Sequence, residues 1–382
     1  MNKRIIILGA GHIGRTIARD LAADASLDAT VVDFSERNLA RLRGVDRLAV
    51  RRADLADDAA LRDAIRDADV VVGALPSAMG FRALRTVIDA GKSYADISFM
   101  PDDALALDDH AKKRGVTAVV DCGVAPGLAN LFIGRCAAAM SRLTDVCYYV
   151  GGLPRRRSWP YQYKAPFAPL DVIEEYTRPA RLIENGRQIV RPALSDLELI
   201  EFDEIGTLEA FNTDGLRSLL TTIRAENMRE KTLRYPGHAE LMRVLRETGY
   251  FGRDEIALRD GRRVRPIDVT GALLFPMWEH KPGEEEFTIL RVIVEGFQND
   301  AHMRFTYDLF DRTDTASGAS SMARTTGFPC AIVARMLADG RLKRPGVFAP
   351  EVVGEDAALT ESLLTELNAR GVCVMQRVEA IA

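Results

Sequence analysis

The sequence lacks an apolar run long enough to cross a membrane. A membrane-spanning helix needs roughly 20 consecutive apolar residues, whereas the run behind the basic N-terminus covers only residues 5–8 before glycines interrupt it. That run is also too short for the hydrophobic region of a secretory signal. We therefore expect a soluble, cytoplasmic protein with no membrane partner.

Cysteine patterning and an excess of one charge are also absent. The five cysteines are scattered, odd in number and free of CxxC spacing, which disfavours a disulfide framework and a metal site and fits a reducing compartment. The 51 basic and 55 acidic residues leave a net charge of −4, so we expect no nucleic-acid partner. The 382 residues, 47% of them hydrophobic, suffice for two globular domains.

A glycine-rich turn follows the first apolar run. Gly9, Gly11 and Gly14 have GxGxxG spacing between a β-branched strand and a helical pattern. In dinucleotide-binding folds the first glycine permits a tight turn, the second lets the backbone approach a pyrophosphate, and the third lets helix and strand pack closely. The helix start, with His12 and Ile13, then offers unpaired N–H groups to the phosphates.

An acidic residue indicates which cofactor binds. Asp33 follows the second predicted strand, where a carboxylate would bind the ribose hydroxyls of NAD and repel the 2′-phosphate of NADP. Residue 34 is Phe34 rather than an arginine, so we expect NAD, although Arg37 is close enough to help a phosphate if Asp33 turned away. Asp54, after the third strand, is a candidate partner for the adenine amino group.

The same alternation of strands and helices sets the fold class. A strand from residue 70 ends in Ala74, Leu75 and Pro76, a loop where we expect the nicotinamide half of the cofactor. Helix and strand patterns over 81–90 and 117–120 complete a doubly wound parallel sheet, so the α/β fold begins with a Rossmann domain over residues 1–123. The alternative is a glycine turn in another α/β fold that binds no cofactor.

Residues 124–382 show a different pattern. Strands over 146–150, 287–297 and 303–310 and a hairpin turn at Asn185-Gly186 predict an α+β substrate and dimerisation domain. Its sheet is expected to be mixed and largely antiparallel. A helix over about 321–337 could return to the first domain.

Several motifs resemble the saccharopine dehydrogenase superfamily and, within it, are most similar to the L-lysine 6-dehydrogenases. They are YADIS (94–98), DCGVAPGLAN (121–130), FNTDGL (211–216), EKTLRYPGH (230–238) and SMARTTG (321–327). The resemblance implies a Rossmann domain, a substrate domain and a homodimer or larger oligomer. It also implies hydride transfer at a carbon bearing an amine, as in the NAD-dependent oxidation of L-lysine to its 6-semialdehyde with release of ammonia.

One position departs from the resemblance. Fungal-type saccharopine reductases are expected to carry an aspartate where this chain has Ala125, before Pro126 and Gly127. The loss of that carboxylate argues against the saccharopine-forming reaction. Any acid–base group must then come from elsewhere.

Hydride leaves readily only when the substrate amine is neutral. A lysine ε-amine has a reference pKa of about 10.4, so a base or a desolvating pocket is needed. Candidate bases are Asp96, His238, Lys231, Tyr94 and Tyr235. Asp96 follows a strand at the edge where open α/β sheets bind ligands, and its alternative is a loop or cap aspartate. His238 follows a turn before a helix, and its alternative is an exposed cap neighbour.

An amino-acid substrate also carries a carboxylate, for which a bidentate arginine is the natural ligand. Arg234 is the first choice and Arg324 the second, and each could instead form a structural ion pair. Tyr235, Asp214 and Cys122 are further candidate substrate contacts. For Cys122 the alternative is a small packing residue.

The leading hypothesis is the NAD-dependent oxidation of L-lysine or a close diamino acid. Its rival among enzymes is a saccharopine-, opine- or polyamine-type dehydrogenase that works reductively. Its rival from another class is a non-catalytic, NAD-binding regulator, which would bind the cofactor without turnover.

Overall fold

The structure is a computed structural model and describes residues 2–281 and 283–381. It divides into two compact units. Unit 1 comprises Met1–Ala139 and Ala323–Val374, and unit 2 comprises Met140–Met322 and Met375–Ala382. No helix within the described ranges has the length and apolar character that crossing a bilayer requires.

Strands and helices alternate in the N-terminal part of the chain, and strands dominate its middle. The strands are β1 (Lys3–Leu8), β2 (Leu27–Asp33), β3 (Leu48–Arg52), β4 (Val70–Gly73), β5 (Ser93–Asp96), β6 (Thr117–Val119), β7 (Arg142–Pro154), β8 (Ala180–Glu184), β9 (Arg187–Arg191), β10 (Glu198–Phe202), β11 (Gly206–Asn212), β12 (Ala225–Arg234), β13 (Ile256–Ala257), β14 (Arg263–Val264), β15 (Glu286–Gln298), β16 (Ala301–Arg312), β17 (Gly346–Phe348) and β18 (Val374–Ala380). The helices are α1 (His12–Ala22), α2 (Glu36–Ala40), α3 (Asp58–Ile65), α4 (Ser77–Asp89), α5 (Asp108–Arg114), α6 (Leu128–Ala139), α7 (Pro169–Thr177), α8 (Leu219–Thr222), α9 (His238–Glu247), α10 (Pro266–Trp278), α11 (Ser321–Ala338), α12 (Pro350–Gly354) and α13 (Ala357–Ala369), with a 3-10 turn at Ala104–Leu107.

Unit 1 is built on a parallel sheet with the strand order β17-β6-β5-β4-β1-β2-β3. Ile5, Ile7 and Leu8 are fully buried, as expected for a central strand covered on both faces. The order reverses between β1 and β4, and open α/β sheets bind ligands at the carboxyl ends of strands at such a switch point. The predicted Rossmann fold is confirmed.

Unit 2 is built on a mixed sheet with the order β10-β11-β12-β7-β15-β16-β18, and β8 and β9 extend it beside β12. Strands β7 and β12 run parallel, whereas β10–β11, β11–β12, β7–β15 and β15–β16 are antiparallel. The predicted hairpin joins β8 to β9, and both turn residues have positive φ angles, 50° at Asn185 and 72° at Gly186. Such angles are typical of a type I′ turn. The predicted mixed, largely antiparallel sheet is confirmed.

Close backbone contact places α6 in unit 1. A Cβ at Gly134 would lie 2.0 Å from the carbonyl oxygen of Glu351, and one at Gly354 would lie 2.1 Å from that of Leu131. Only glycine allows α6 and α12 to approach this closely. The boundary predicted near residue 123 therefore falls inside unit 1, which also holds α11 from Ala323 onward.

Candidate active site

The glycine turn of unit 1 lies at the switch point of its sheet. Gly9 has a φ of 102°, and a Cβ there would lie 2.3 Å from the carbonyl oxygen of Ala74. A Cβ at Gly14 would lie 2.2 Å from the carbonyl oxygen of Gly9, whereas one at Gly11 would meet no atom within 4 Å. Gly9 and Gly14 are thus required by packing, and Gly11 leaves open space where a ligand can approach the backbone.

Helix α1 presents its N-terminus at this open space. Gly11 is the N-cap residue, and no side chain caps the helix. The first backbone N–H groups of an α-helix lack partners within it and attract anions. His12, which is exposed, lies with Nδ1 3.4 Å from Nη2 of Arg15, and Ile13 packs near Gly327. These features fit the pyrophosphate of a dinucleotide.

Asp33 holds the glycine turn through its carboxylate. Its Oδ2 accepts a hydrogen bond from the Ala10 N–H at 2.6 Å, and its Oδ1 accepts one from the Ser35 N–H at 2.7 Å. Only 7% of the residue is exposed. Both carboxylate oxygens therefore accept hydrogen bonds from backbone N–H groups. The sequence pattern alone does not reveal this structural role.

Arg15 interacts both with Asp33 and with two further arginines, so positive charge accumulates around Arg15. Burial lowers the pKa of the half-buried Arg15, and repulsion from Arg41 and Arg19 lowers it further, with Asp33 opposing them. Arg19 donates through Nη2 to the carbonyl oxygen of Arg41 at 2.9 Å. Clustered guanidinium groups favour the binding of a phosphate.

The other predicted cofactor contacts follow neighbouring strands. Asp54 is exposed in the turn after β3, and its Oδ1 accepts from the Ala56 N–H at 2.9 Å. After β4, the Ala74 N–H donates to Leu8 at 2.9 Å, and Pro76 is the N-cap residue of α4. The carbonyl oxygen of Leu75 accepts a hydrogen bond from the Ser98 hydroxyl at 3.1 Å.

Asp96 forms a buried polar cluster at the end of β5. Its Oδ1 accepts from the hydroxyls of Tyr94 at 3.0 Å and Ser98 at 2.9 Å, and its Oδ2 accepts from the Ser98 N–H at 3.1 Å. Burial raises the pKa of Asp96 from 3.8 to about 7, although the hydrogen bonds from Ser98 and Tyr94 lower it. A Cβ at Gly73 would lie 2.0 Å from both Asp96 Oδ1 and the Tyr94 hydroxyl, so the pair requires glycine on β4.

Ser98 can accommodate either protonation state of Asp96. Its hydroxyl lies 2.9 Å from Asp96 Oδ1 and 3.1 Å from the carbonyl oxygen of Leu75. A hydroxyl has one proton to donate, so it serves the ionised carboxylate or turns to Leu75 when the carboxyl is protonated. The cluster can therefore take up a proton near neutral pH without leaving a donor unpaired.

Cys122 is held beside this cluster. Its N–H donates to the carbonyl oxygen of Asp96 at 2.8 Å, and its thiol donates to the carbonyl oxygen of Val119 at 3.4 Å. Cys330 neighbours it in unit 1, and burial raises the pKa of the Cys330 thiol. These contacts suit the packing alternative for Cys122.

Arg234 is the centre of a buried cluster in unit 2. Its Nε donates to the Tyr176 hydroxyl at 3.2 Å, its Nη1 to the carbonyl oxygen of Leu233 at 2.8 Å, and its Nη2 to the Tyr163 hydroxyl and to Glu175. The guanidinium also lies 4.4 Å from the centroid of the Tyr163 ring. Each guanidinium nitrogen is thus engaged within unit 2, and the contact with a substrate carboxylate stays a prediction.

The hydrogen bonds around His238 fix its tautomer. Arg234 donates to the Tyr176 oxygen, so the Tyr176 hydroxyl is free to donate to His238 Nε2 at 2.9 Å. The Nδ1 atom must then carry the proton and donate to the carbonyl oxygen of Tyr161 at 2.9 Å. Burial lowers the pKa of His238 from 6.5 to about 3, and the Arg234 guanidinium contributes. This geometry favours a neutral, positioning histidine.

The remaining candidates have separate partners. In unit 2, Lys231 Nζ contacts the carbonyl oxygen of Asp196 at 2.6 Å and Glu198 at 2.7 Å. Asp214 accepts two hydrogen bonds from the Arg181 guanidinium, at 2.8 and 2.9 Å, and a third from the Arg181 backbone N–H at 3.2 Å. Also in unit 2, the Tyr235 hydroxyl donates to the carbonyl oxygen of Pro154 at 2.9 Å. In unit 1, Arg324 Nη2 donates to the carbonyl oxygen of Arg370 at 3.2 Å. The structure therefore groups Asp96 with Tyr94 and Cys122, and Arg234 with His238.

Residues that the sequence reasoning missed complete both clusters. Ser98 lies in the YADIS motif (94–98) and Gly73 lies in the strand predicted from residue 70, so the sequence contains a signal for both. Glu175 and Tyr176 lie on α7, outside every motif, and only the folded chain brings them to Arg234. Glu230 is a further buried acid of unit 2, hydrogen-bonded by Thr213, and burial raises its pKa from 4.5 to about 8.

Comparisons with known proteins identify relatives along almost the whole chain. The family model described as saccharopine dehydrogenase NADP binding domain matches residues 5–119, and the model described as saccharopine dehydrogenase C-terminal domain matches residues 123–372. The chain is 22% identical over 430 residues to the saccharopine dehydrogenase (NADP(+), L-glutamate-forming) of Saccharomyces cerevisiae, covering 92% of this chain and 94% of the relative. It is 23% identical over 389 residues to the carboxynorspermidine synthase of Vibrio cholerae, covering 93% of each.

A solved structure supports the fold. The apo saccharopine dehydrogenase (L-Glu forming) from Saccharomyces cerevisiae matches with a TM-score of 0.81 and 19% identity, covering 99% of this chain and 100% of that one. At this identity the match shows a shared fold and does not show a shared substrate.

The expectation of NAD is wrong. The matched N-terminal domain is described as NADP-binding, and the name of the yeast relative specifies NADP(+). The prediction of NAD assumes that the Asp33 carboxylate repels a 2′-phosphate. In the structure the Asp33 carboxylate accepts hydrogen bonds from two backbone N–H groups, and Arg15 interacts with it electrostatically.

We expect Tyr176→Phe to destabilise unit 2. The change leaves His238 Nε2 without its donor and Arg234 Nε without its acceptor, and a buried polar group that loses its partner costs about 1–3 kcal/mol. The free energy of unfolding in urea measures the loss. Tyr250→Phe is the matched control because half of Tyr250 is exposed, and equal losses in the two variants would contradict the network.

Proposed function

Because the chain belongs to the saccharopine dehydrogenase family, we propose that it is an NADP-dependent oxidoreductase that acts on the carbon–nitrogen bond of an amino acid's side-chain amine. The observation that carries the proposal is the buried Asp96 cluster at the carboxyl edge of the Rossmann sheet. Oxidation of an amine needs a proton acceptor as well as a hydride acceptor, and Asp96 exchanges a proton near neutral pH.

Residues of unit 1 would hold the cofactor along this edge. The open space at Gly11 and the uncapped start of α1 suit the pyrophosphate, Arg15 and Arg41 suit the 2′-phosphate, and the loop from Ala74 suits the nicotinamide half. When bound, the cofactor supplies the hydride acceptor or, in its reduced form, the donor.

The chain's own residues accept and hold the proton that the substrate ammonium loses. Ionised Asp96 accepts the proton that the substrate ammonium must lose before hydride can leave. Ser98 then turns its hydroxyl from Asp96 to the carbonyl oxygen of Leu75. Tyr94 keeps its hydrogen bond to Oδ1 and so holds the carboxyl group in place.

Two substrates fit this chemistry. The first is saccharopine or a similar secondary amine between two amino-acid skeletons, which the names of the curated relatives support. The second is L-lysine, with release of ammonia, which is favoured by Ala125 at the position expected to hold an aspartate in saccharopine reductases.

A panel of amines tests the proposal directly. The purified protein is mixed with NADP and saccharopine, L-lysine or ornithine, and formation of NADPH is followed by absorbance together with an ammonia assay. We expect NADPH with at least one of these amines. NADPH with ammonia from lysine identifies deamination, whereas NADPH without ammonia identifies the saccharopine-type reaction. Cofactor binding with no turnover in either direction would contradict an enzyme and favour a regulator.

We expect kcat/KM for amine oxidation to depend on pH, with one limb set by the ionisation of Asp96. Its raised pKa means that Asp96 holds a proton below about pH 7 and cannot accept another, so kcat/KM should rise with pH through about 7. With L-lysine as the substrate, the ionisation of the ε-amine adds a second limb near its reference pKa of about 10.4. In the reductive direction the Asp96 limb should be inverted.

Asp96→Asn should remove the limb near pH 7 and lower the rate by about 10²–10⁴-fold, the usual contribution of a general base. The matched control is Asp89→Asn, since Asp89 is an exposed carboxylate paired with His110. Persistence of the limb in Asp96→Asn would show that another group titrates.

We expect Arg41→Ala to weaken NADP selectively. A hydrogen bond to a charged group contributes about 1.5–3 kcal/mol, so the KM for NADP should rise by about 10–100-fold. The KM for NAD, which has no 2′-phosphate, should change little. Arg62→Ala removes an exposed arginine from α3 and serves as the control. An equal effect on both cofactors would contradict a phosphate contact.

A further inference from the structure

Asp121, the second residue after β6 of unit 1, has a backbone conformation that most side chains avoid. Its φ is 56°, in the left-handed region that glycine adopts freely and that other residues adopt rarely, aspartate and asparagine more often than most. Only 6% of the residue is exposed. Such outliers persist where the surrounding structure holds them, and they cluster at functional sites.

The left-handed conformation turns the chain from one neighbouring strand to the other. The Val120 N–H donates to the carbonyl oxygen of Phe348 on β17 at 3.0 Å. The Cys122 N–H, two residues later, donates to the carbonyl oxygen of Asp96 on β5 at 2.8 Å. Strands β17 and β5 lie on opposite sides of β6, whereas in an extended strand the N–H groups of residues i and i+2 point to the same side. The reversal occurs at Asp121, so its backbone brings the Cys122 N–H to the Asp96 peptide.

The side chains that act on Asp96 come from β5 and the residues after it, from the segment after β6, and from α11. They are Tyr94, Ser98, Asp121, Cys122 and Cys330. Burial raises the pKa of the Tyr94 hydroxyl and of the Cys330 thiol well above their ordinary values, so both groups keep their protons. Asp121 is the carboxylate of this set. Burial is the main cause of the raised pKa of Asp96, and repulsion from Asp121 adds to it.

We propose that Asp121 is a positioning residue for Asp96: its left-handed backbone fixes the Asp96 peptide, and its buried carboxylate opposes negative charge on the Asp96 side chain. The inference rests on the proposed function, in which Asp96 accepts the proton of the substrate ammonium. A carboxylate beside a like charge gains more from taking up a proton, because protonation ends the repulsion. Asp121 thereby makes Asp96 a stronger proton acceptor.

Substitutions at position 121 separate the charge of the residue from its backbone. Asparagine also adopts the left-handed conformation, so Asp121→Asn keeps the turn and removes the charge. Asp121→Val removes the charge and also places a β-branched side chain at a positive φ, where such a residue is strongly disfavoured. The matched control is Asp300→Asn, because Asp300 has a φ of 64° and is exposed in the turn between β15 and β16 of unit 2.

Carboxyl NMR of the full chain measures the effect of the charge without turnover. In protein labelled with carbon-13 at the aspartate side-chain carboxyl, Asp96 gives the signal that titrates near pH 7 and is missing from Asp96→Asn. We expect the midpoint of that signal to fall by about one pH unit in Asp121→Asn, the lower end of the effect of a neighbouring charge. It should stay unchanged in Asp300→Asn. Equal midpoints in the wild type and Asp121→Asn would overturn the electrostatic role.

Amide hydrogen exchange tests the role of the backbone. The Cys122 amide, which donates to Asp96, should exchange at the wild-type rate in Asp121→Asn. In Asp121→Val it should exchange about tenfold faster or more, because strain of this kind destabilises the turn. Urea unfolding establishes that the variants are folded, and Asp121→Ala, with its smaller side chain, replaces a valine variant that does not fold. Equal protection in all these variants would overturn the backbone role.

The pH profile of kcat/KM connects Asp121 to the reaction. The limb set by Asp96 should move to lower pH in Asp121→Asn by the same amount as the NMR midpoint, and a purely structural role of Asp121 would leave the limb in place. Turnover with an unmoved limb would therefore overturn the inference. A shifted NMR midpoint in a protein that oxidises none of the amines would support the coupling of the two carboxylates and contradict the proposed function.

Discussion

The cofactor edge of unit 1 depends on one backbone contact, between the turn after β1 and the loop after β4. The carbonyl oxygen of Ala74 occupies the space that a side chain at residue 9 would need, and that of Gly9 occupies the space of a side chain at residue 14. Both obstacles are backbone atoms, so no rotamer change relieves a substitution. The contact fixes the start of α1 and the loop from Ala74 at the same edge of the sheet. This arrangement determines where a dinucleotide can bind along that edge.

Burial has opposite consequences in the two polar clusters. In unit 1, burial raises the pKa of Asp96 to about 7 despite the hydrogen bonds from two hydroxyls and a backbone N–H, so the carboxyl group keeps its proton until about that pH. In unit 2, His238 is buried beside the Arg234 guanidinium, so it stays neutral far below that pH. Environments that move the pKa values of two groups in opposite directions assign them different roles. Asp96 can exchange a proton under ordinary conditions, whereas His238 orders the hydroxyl of Tyr176.

The features that could be predicted from the sequence are those that depend on local patterns. The glycine spacing, the buried β-branched strand and the Asn185-Gly186 hairpin each follow from the backbone needs of adjacent residues, and the structure contains all of them. The direction in which a side chain turns is not local. Asp33 occupies the predicted position, but its carboxylate faces backbone N–H groups, so the inference about the ribose failed. The partners of Arg234 come from α7, which no spacing along the chain connects to residues 230–238.

Asp33 also limits how nucleotide preference could be redesigned in this fold. Exchange of the acid after the second strand is the obvious way to change which ribose a Rossmann domain accepts. Here both carboxylate oxygens receive backbone protons, and an asparagine would turn an amide donor toward one of those N–H groups. Such an exchange would weaken a hydrogen bond that holds the glycine turn and would add no contact to the ribose. Redesign would have to start from arginines such as Arg15 and Arg41 and leave the acid unchanged.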